Sequence, residues 1–287
     1  MGVALITPFD DKGEVDFYAL NRLVNYHLQN STDYLVILGT TAETPTLSVG
    51  EQKEIKKTVV AQVGGRIPVV MGMGGNNTLA LADRIQSEDF TGISAILSVV
   101  PYYNKPTQEG IYQHYKYIAK TSPLPVILYN VPSRTGVNMT ADTTLRLAGD
   151  IENIVAVKEA SGNMDQIADI IRHKPKNFHV ISGDDAIAFP LIKEGGSGVI
   201  SVLGNAYPAS FRRMVHLALA GDYEAASQID RHFTEMIKLL FVNGNPAGIK
   251  CILHTMGLIK NELRLPLIPV EASTCERIQR EIRELNN

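Results

Sequence analysis

Cysteine is scarce in this chain. Only Cys251 and Cys275 occur in 287 residues, too few and too isolated for a disulfide framework or a zinc cluster, and a reducing, intracellular compartment suits such a composition. Neither sign of charge is in excess: 27 Lys+Arg stand against 30 Asp+Glu, a net of −3. No basic field is therefore present to draw the chain onto nucleic acid or an anionic membrane. Long hydrophobic runs are missing as well, and none approaches the ~18 residues of a membrane span. The apolar stretch Val3–Ile6 has no basic segment before it and is cut off by Pro8, Asp10 and Asp11, well short of a signal-peptide core. The expectation is a cytoplasmic protein with neither a nucleic-acid nor a membrane partner.

Several chemical signatures are also absent. The 7 histidines are dispersed, with no HExxH and no pair at helical spacing, which disfavours a metal site. No GxSxG and no P-loop pattern occurs, so serine hydrolysis and nucleotide phosphoryl transfer lose support. The glycine cluster Met71-Gly72-Met73-Gly74-Gly75-Asn76-Asn77 lacks the last glycine of a dinucleotide fingerprint and reads as a strand-end turn. No cofactor and no metal are expected.

What is present is a period. Apolar, β-branched runs recur at Val3–Phe9, Tyr34–Gly39, Ile67–Gly74, Ala95–Tyr103, Pro125–Pro132, Ile154–Ser161, Phe178–Asp185 and Gly198–Asn205. Amphipathic stretches such as Phe17–Gln29, Val49–Gln62 and Ile111–Thr121 fill the gaps. A strand followed by a helix, repeated, is the βα unit of a parallel sheet, and near-continuous apolar strands are those buried on both faces. Eight units fit a (β/α)8 TIM barrel, an α/β fold, better than an open doubly wound sheet. After Pro208 the strand signal stops: Pro208–Ala220 reads as the eighth barrel helix, and Tyr223–Phe241, Pro246–Leu258 and Ala272–Leu285 as further helices. The expected division is a catalytic barrel over 1–220 and a C-terminal helical region over 221–287.

In such barrels the active site lies at the C-terminal strand ends. There the sequence places Gly39-Thr40-Thr41-Ala42-Glu43, Pro101-Tyr102-Tyr103-Asn104, Tyr129-Asn130-Val131-Pro132-Ser133-Arg134-Thr135-Gly136 and Val157-Lys158-Glu159-Ala160-Ser161-Gly162. Lys158 ends a run that should be buried. A desolvated lysine loses its charge more readily, and a neutral amine condenses with a ketone to a Schiff base; alternatively its stem packs on the barrel while its head reaches solvent or Glu159. Tyr129, ending the preceding strand, is either a proton-transfer group beside Lys158 or an aromatic cap on the barrel layers. Thr40 and Thr41 follow a glycine and suit a carboxylate, or simply make a βα turn.

These motifs together, with Gly2-Val3-Ala4-Leu5, Ser182-Gly183-Asp184-Asp185, Gly198-Val199-Ile200-Ser201-Val202 and Leu263-Arg264-Leu265-Pro266, resemble the dihydrodipicolinate synthase family of pyruvate-dependent class I aldolase-type lyases, over essentially the whole chain. The resemblance implies a metal-free condensation of pyruvate with L-aspartate 4-semialdehyde in lysine and diaminopimelate biosynthesis. It implies that Lys158 forms the imine, and that Tyr129 and Thr40 form a proton relay completed by Tyr103 from a neighbouring subunit. Thr41 would bind the pyruvate carboxylate, with backbone from Gly183 and Ile200 closing the pocket, and Arg134 the carboxylate of the semialdehyde. A homotetramer, a dimer of dimers, follows from the shared tyrosine. Sister lyases that cleave N-acetylneuraminate or 2-keto-3-deoxy sugar acids usually lack the arginine; a catalytically silent oxo-acid sensor would not need all four catalytic side chains. Two departures stand out. Ala42 replaces the usual fourth-position glycine of the first motif. Asn76 and Tyr102 match the lysine effector site, but Val49, Gln52 and Ala80 replace its two histidines and glutamate, so weak or absent lysine inhibition is expected.

Overall fold

The computed structural model describes residues 1–285; Asn286 and Asn287, at the end of the expected helical region, lie outside the described residues. Each of the eight apolar runs carries a strand: β1 (Gly2–Ala4), β2 (Tyr34–Ile37), β3 (Val69–Gly72), β4 (Ala95–Val99), β5 (Val126–Asn130), β6 (Ile154–Glu159), β7 (His179–Ser182) and β8 (Gly198–Ser201). They form a closed barrel in sequence order. The helices are α1 (Phe17–Gln29), α2 (Val49–Val63), α3 (Thr78–Ser87), α4 (Gln108–Thr121), α5 (Pro132–Thr135), α6 (Ala141–Asp150), α7 (Met164–His173), α8 (Ala188–Lys193), α9 (Pro208–Leu219), α10 (Tyr223–His232), α11 (Thr234–Phe241), α12 (Ala247–Thr255) and α13 (Ala272–Leu285).

The strands are shorter than the apolar runs, for local reasons. After β2, Leu38 turns to φ 54° and Thr40–Ala42 winds into a 3₁₀ turn; after β4, Pro101 has no N–H for the ladder. One expected helix, Tyr223–Phe241, is two. The break falls at Phe233 (φ −95°, ψ 0°), whose buried ring packs on Tyr207 and Phe211 at 5.1 and 6.3 Å between centroids. No glycine or proline marks that point, so periodicity alone runs the two helices together.

Two compact units are distinguished, one formed by Met1–Pro68 with the chain from Ser201 onward, the other by Val69–Ile200. In the first, β1 pairs with β2 through Gly2↔Tyr34, Val3↔Leu35 and Ala4↔Val36, and the glycine at position 2 leaves room for the Tyr34 ring, from which a Cβ would stand 2.2 Å. Asp16 caps α1, and Ser48 with Glu51 forms a capping box on α2, satisfying backbone donors that a helix leaves unpaired. The α12 and α13 helices bring Cys251 and Cys275, remote in sequence, to 3.0 Å between sulfurs, both as free thiols. In the second unit, β3 to β8 pair in parallel in succession, and Asn77, Thr107, Thr140 and Asn163 cap α3, α4, α6 and α7.

The first unit also buries a charge pair. Lys250 on α12 and Glu43 just after the 3₁₀ turn are 2.5 Å apart, with side chains wholly shielded from solvent. The Lys250 ammonium donates to the Glu262 carbonyl at 2.8 Å and lies 4.1 Å from the Phe9 ring centroid, while Glu43 Oε2 accepts the Arg264 backbone N–H at 3.0 Å. Burial pulls the Lys250 pKa down to about 8 against the opposing pull of Glu43. Removing one partner of such a pair strands the other charge, at a cost of about 3–5 kcal/mol. We therefore expect Lys250→Met to lower the urea unfolding midpoint sharply and Lys250→Met with Glu43→Gln to regain much of the loss; a single variant as stable as the parent would contradict this role.

Candidate active site

The β5–β6 register sets the centre of the site. Tyr129 pairs with Lys158 and Asn130 with Glu159, because the register shifts by one residue after Val126↔Ile154, so that Ile127 faces Ala156. Without that irregularity Tyr129 would face Val157, and a one-residue slip moves a side chain to the other face of the sheet. Tyr129 and Lys158 are both buried, and the Lys158 nitrogen stands 4.4 Å from the Tyr129 ring centroid. The arrangement therefore brings together two of the expected residues at the C-terminal ends of adjacent strands, with the lysine side chain buried along the strand.

Gly183, after β7, leaves room for the lysine stem: a Cβ there would sit 2.7 Å from the Ala160 Cβ and 3.0 Å from the Lys158 Cε. Its N–H donates to the Glu159 carbonyl at 2.7 Å. Ile200 is fully buried on β8. Arg134 is exposed on the short α5, one turn beyond the end of β5, where a planar guanidinium fork suits a carboxylate.

Glu159 supports this arrangement from a fully buried position. Its carboxylate accepts the Ser161 N–H at 2.8 Å, the Asn130 amide at 3.1 Å on each oxygen, and the Gln166 amide at 3.1 Å. Burial raises its pKa, and these donors oppose the rise. Asn130 also accepts the Met139 N–H at 3.0 Å and donates to Asn138 at 2.8 Å. The sequence motifs contain Asn130 and Glu159 but give no hint that they bond each other; their adjacency to Tyr129 and Lys158 on paired strands is the signal.

Tyr102 and Tyr103 lie on the loop after β4. Tyr103 is 87 % exposed and holds φ 72°, a left-handed conformation rare for an aromatic residue. The Asn76 amide donates to the Tyr102 carbonyl at 3.2 Å, and Asn104 donates back to the Asn76 carbonyl at 3.2 Å, so Asn76 and Tyr102 are joined through backbone. Val49 is 69 % exposed, and among the described residues no group of three metal-ligating side chains forms a metal site.

In the other unit, Thr40, Thr41 and Ala42 form the 3₁₀ turn after β2. The residue that needs a left-handed backbone is Glu43, at φ 54°, not Ala42, which explains why alanine is accommodated in the first motif: its methyl is buried in an ordinary conformation. Thr7 Oγ1 donates to the Ala42 carbonyl at 2.9 Å. Thr41, buried, accepts the Asn245 amide on Oγ1 at 2.9 Å. That bond uses an acceptor lone pair and leaves the hydroxyl proton available to an anion. Asn245 was legible in the sequence only as part of a helix break, Asn243-Gly244-Asn245-Pro246, since a contact to a residue over two hundred positions away has no local signature.

Comparison with known proteins agrees with this reading. The profile of the dihydrodipicolinate synthetase family matches residues 1–285. The 4-hydroxy-tetrahydrodipicolinate synthase of Parabacteroides distasonis is 60% identical over 286 residues, covering 100% of this chain and 96% of that protein, and that of Azobacteroides pseudotrichonymphae is 62% identical over 280 residues, covering 98% and 95%. The crystal structure of dihydrodipicolinate synthase from Thermotoga maritima superposes with a TM-score of 0.97 at 40% identity, covering 99% of this chain and 97% of that one. The closed parallel barrel, the paired lysine and tyrosine at its strand ends and likeness over the whole described length lead to one conclusion: the chain belongs to the dihydrodipicolinate synthetase family.

Proposed function

We infer that this protein is a lyase that condenses pyruvate with L-aspartate 4-semialdehyde to 4-hydroxy-tetrahydrodipicolinate, in lysine and diaminopimelate biosynthesis. The observation that carries the reading is the buried Lys158 side chain with its nitrogen beside Tyr129, in a chain whose close relatives carry that name. Lys158 adds to the pyruvate ketone and water leaves, giving an imine; loss of a methyl proton then turns the adjacent carbon into the nucleophile that attacks the aldehyde. Tyr129 passes protons during imine formation, with Thr40 and Tyr103 as the other members of the relay. Thr41 binds the pyruvate carboxylate, its hydroxyl oriented by Asn245, and the backbone of Gly183 and Ile200 closes the pocket. Arg134 holds the semialdehyde carboxylate, a role supported by its position beyond the imine-forming pair.

Borohydride reduction in the presence of pyruvate separates these roles. One pyruvate adduct per chain is expected on Lys158 and none in Lys158→Ala; full labelling of that variant would remove Lys158 from the chemistry. Arg134→Ala should still give the adduct but lose about ten- to hundredfold in kcat/KM for the semialdehyde, as deletion of a charge-assisted contact worth ~1.5–3 kcal/mol requires. Normal semialdehyde kinetics would exclude Arg134 from the site.

We further propose a homotetramer, a dimer of dimers, in which Tyr103 completes the site of a neighbouring subunit. Its 87 % exposure on a left-handed backbone supports this, because such strain persists where the surroundings require it. Sedimentation equilibrium should return a tetramer; a fully active monomer would contradict the shared relay. A cytoplasmic location is part of the same proposal, supported by the absence, among the described residues, of a helix long and apolar enough to cross a membrane.

For regulation, Asn76 and Tyr102 are proposed as remnants of a lysine effector site that Val49, Gln52 and Ala80 no longer complete. Gln52 offers one neutral carbonyl and Ala80 no acceptor. Titration with lysine should leave activity intact at submillimolar concentrations, whereas steep inhibition in that range would show that other side chains rebuild the site.

A further inference from the structure

Neither cysteine has a part in the condensation, yet the fold pairs them. Cys251 on α12 is fully buried, and its thiol donates to the Cys275 sulfur at 3.0 Å. Cys275, in the first turn of α13, is half-buried and also faces the Gln279 amide at 3.7 Å. The Cys275 sulfur is thus the acceptor of two hydrogen bonds on a partly exposed residue, and the buried Cys251 thiol stands beside it, carrying its proton. Cys251 is shut off from solvent, and burial, with the Cys275 contact, pushes its thiol up, so it does not react first. A disulfide needs its sulfurs at about 2.05 Å, about 1 Å closer than these. A partly exposed cysteine poised beside a second, resolving thiol is the arrangement of a peroxide-responsive pair.

We propose that Cys251 and Cys275 form a peroxide-oxidisable dithiol, a modification site separate from the condensation chemistry. The Cys275 sulfur attacks one oxygen of hydrogen peroxide; the O–O bond breaks, giving Cys275 sulfenic acid and, with the thiol proton, one water. The Cys251 sulfur then attacks the Cys275 sulfur; the S–O bond breaks and the hydroxyl leaves as a second water with the Cys251 proton. Two thiols and one peroxide become one disulfide and two waters. The bond closes the segment that holds Glu262 and Arg264, and Lys250 stands immediately before it, so the clamp encloses the arm that binds Glu43. Cross-linking removes freedom from the unfolded chain, and the oxidised form melts at higher temperature than the reduced one.

The test treats the native full-length protein with equimolar hydrogen peroxide, blocks remaining thiols with a maleimide and maps peptides by mass. The expected product is one intrachain peptide pair joined through Cys251 and Cys275, with loss of about 2 Da, reversed by dithiothreitol together with the rise in melting temperature. In Cys251→Ser, oxidation should stop at a Cys275 sulfenic acid that dimedone captures; in Cys275→Ser, neither disulfide nor sulfenate should form. Two maleimide-labelled cysteines after peroxide, a disulfide between chains, or Cys275 sulfinic acid in place of the disulfide in the parent protein would each overturn the proposal. The parent protein alone decides it should a variant fail to fold.

Discussion

The Glu159 carboxylate is buried and held by neutral donors from three segments: Asn130 at the end of β5, Ser161 in the turn after β6, and Gln166 on α7. A buried carboxylate must be satisfied or it destabilises the interior by several kcal/mol, so those three segments are bound to one geometry. Asn130 and Glu159 each follow directly on one of the two residues proposed to react, Tyr129 and Lys158. Fixing the outer pair therefore fixes the inner pair, and the distance between amine and phenol ring becomes a property of strand register and amide hydrogen bonds rather than of side-chain flexibility. The same network reaches Asn138 and Met139, which ties down the chain that follows Arg134. Catalytic geometry of this kind depends on supporting groups whose own positions are over-determined.

The other unit solves the same problem with charge. Glu43, held at φ 54°, takes an ammonium from Lys250 and a backbone N–H from Arg264, while the Arg264 guanidinium pairs with Glu51 at 2.5 and 3.0 Å and donates to the Gly13 and Thr46 carbonyls. Arg264 and Lys250 both lie over the Phe9 ring. Glu51 is thereby held well below the usual carboxylate range, at about 2, chiefly through its hydrogen bond to Arg264. The loop bearing Thr40 and Thr41 is braced by this cluster on one side and by Asn245 and Thr7 on the other. In each unit a buried carboxylate stands within three residues of a proposed functional side chain, and its position depends on at least one partner from another segment.

Much of this was legible in the sequence because the barrel writes itself locally. Each βα unit carries its own apolar run and amphipathic helix, and α1 runs over the amphipathic stretch Phe17–Gln29 behind its Asp16 cap. The rim motifs were visible because polar side chains interrupt apolar strands. Less visible were features that depend on chain crossings: the register shift that sets Tyr129 opposite Lys158, the Asn245 bond to Thr41, and the meeting of Cys251 with Cys275. The split at Phe233 has no signature in the sequence because a buried aromatic continues the hydrophobic period through the break. Ala42 takes the place of a glycine without strain, since the left-handed position is Glu43, one residue further on.

The support of the Thr40–Glu43 loop comes from residues 245 to 264, which a ribosome produces long after the loop itself has emerged. Proteins are made from the N-terminus onward, so a nascent chain holding β2 and its turn has no Asn245, Lys250 or Arg264 to receive it. During that interval Glu43 can stay hydrated and the turn need not adopt its strained backbone. Only when α12 and the segment after it arrive does the carboxylate leave water and the threonine hydroxyl acquire its fixed acceptor role. The order of synthesis thus leaves the turn unbraced in the early nascent chain, and couples its final conformation to the arrival of residues 245 to 264.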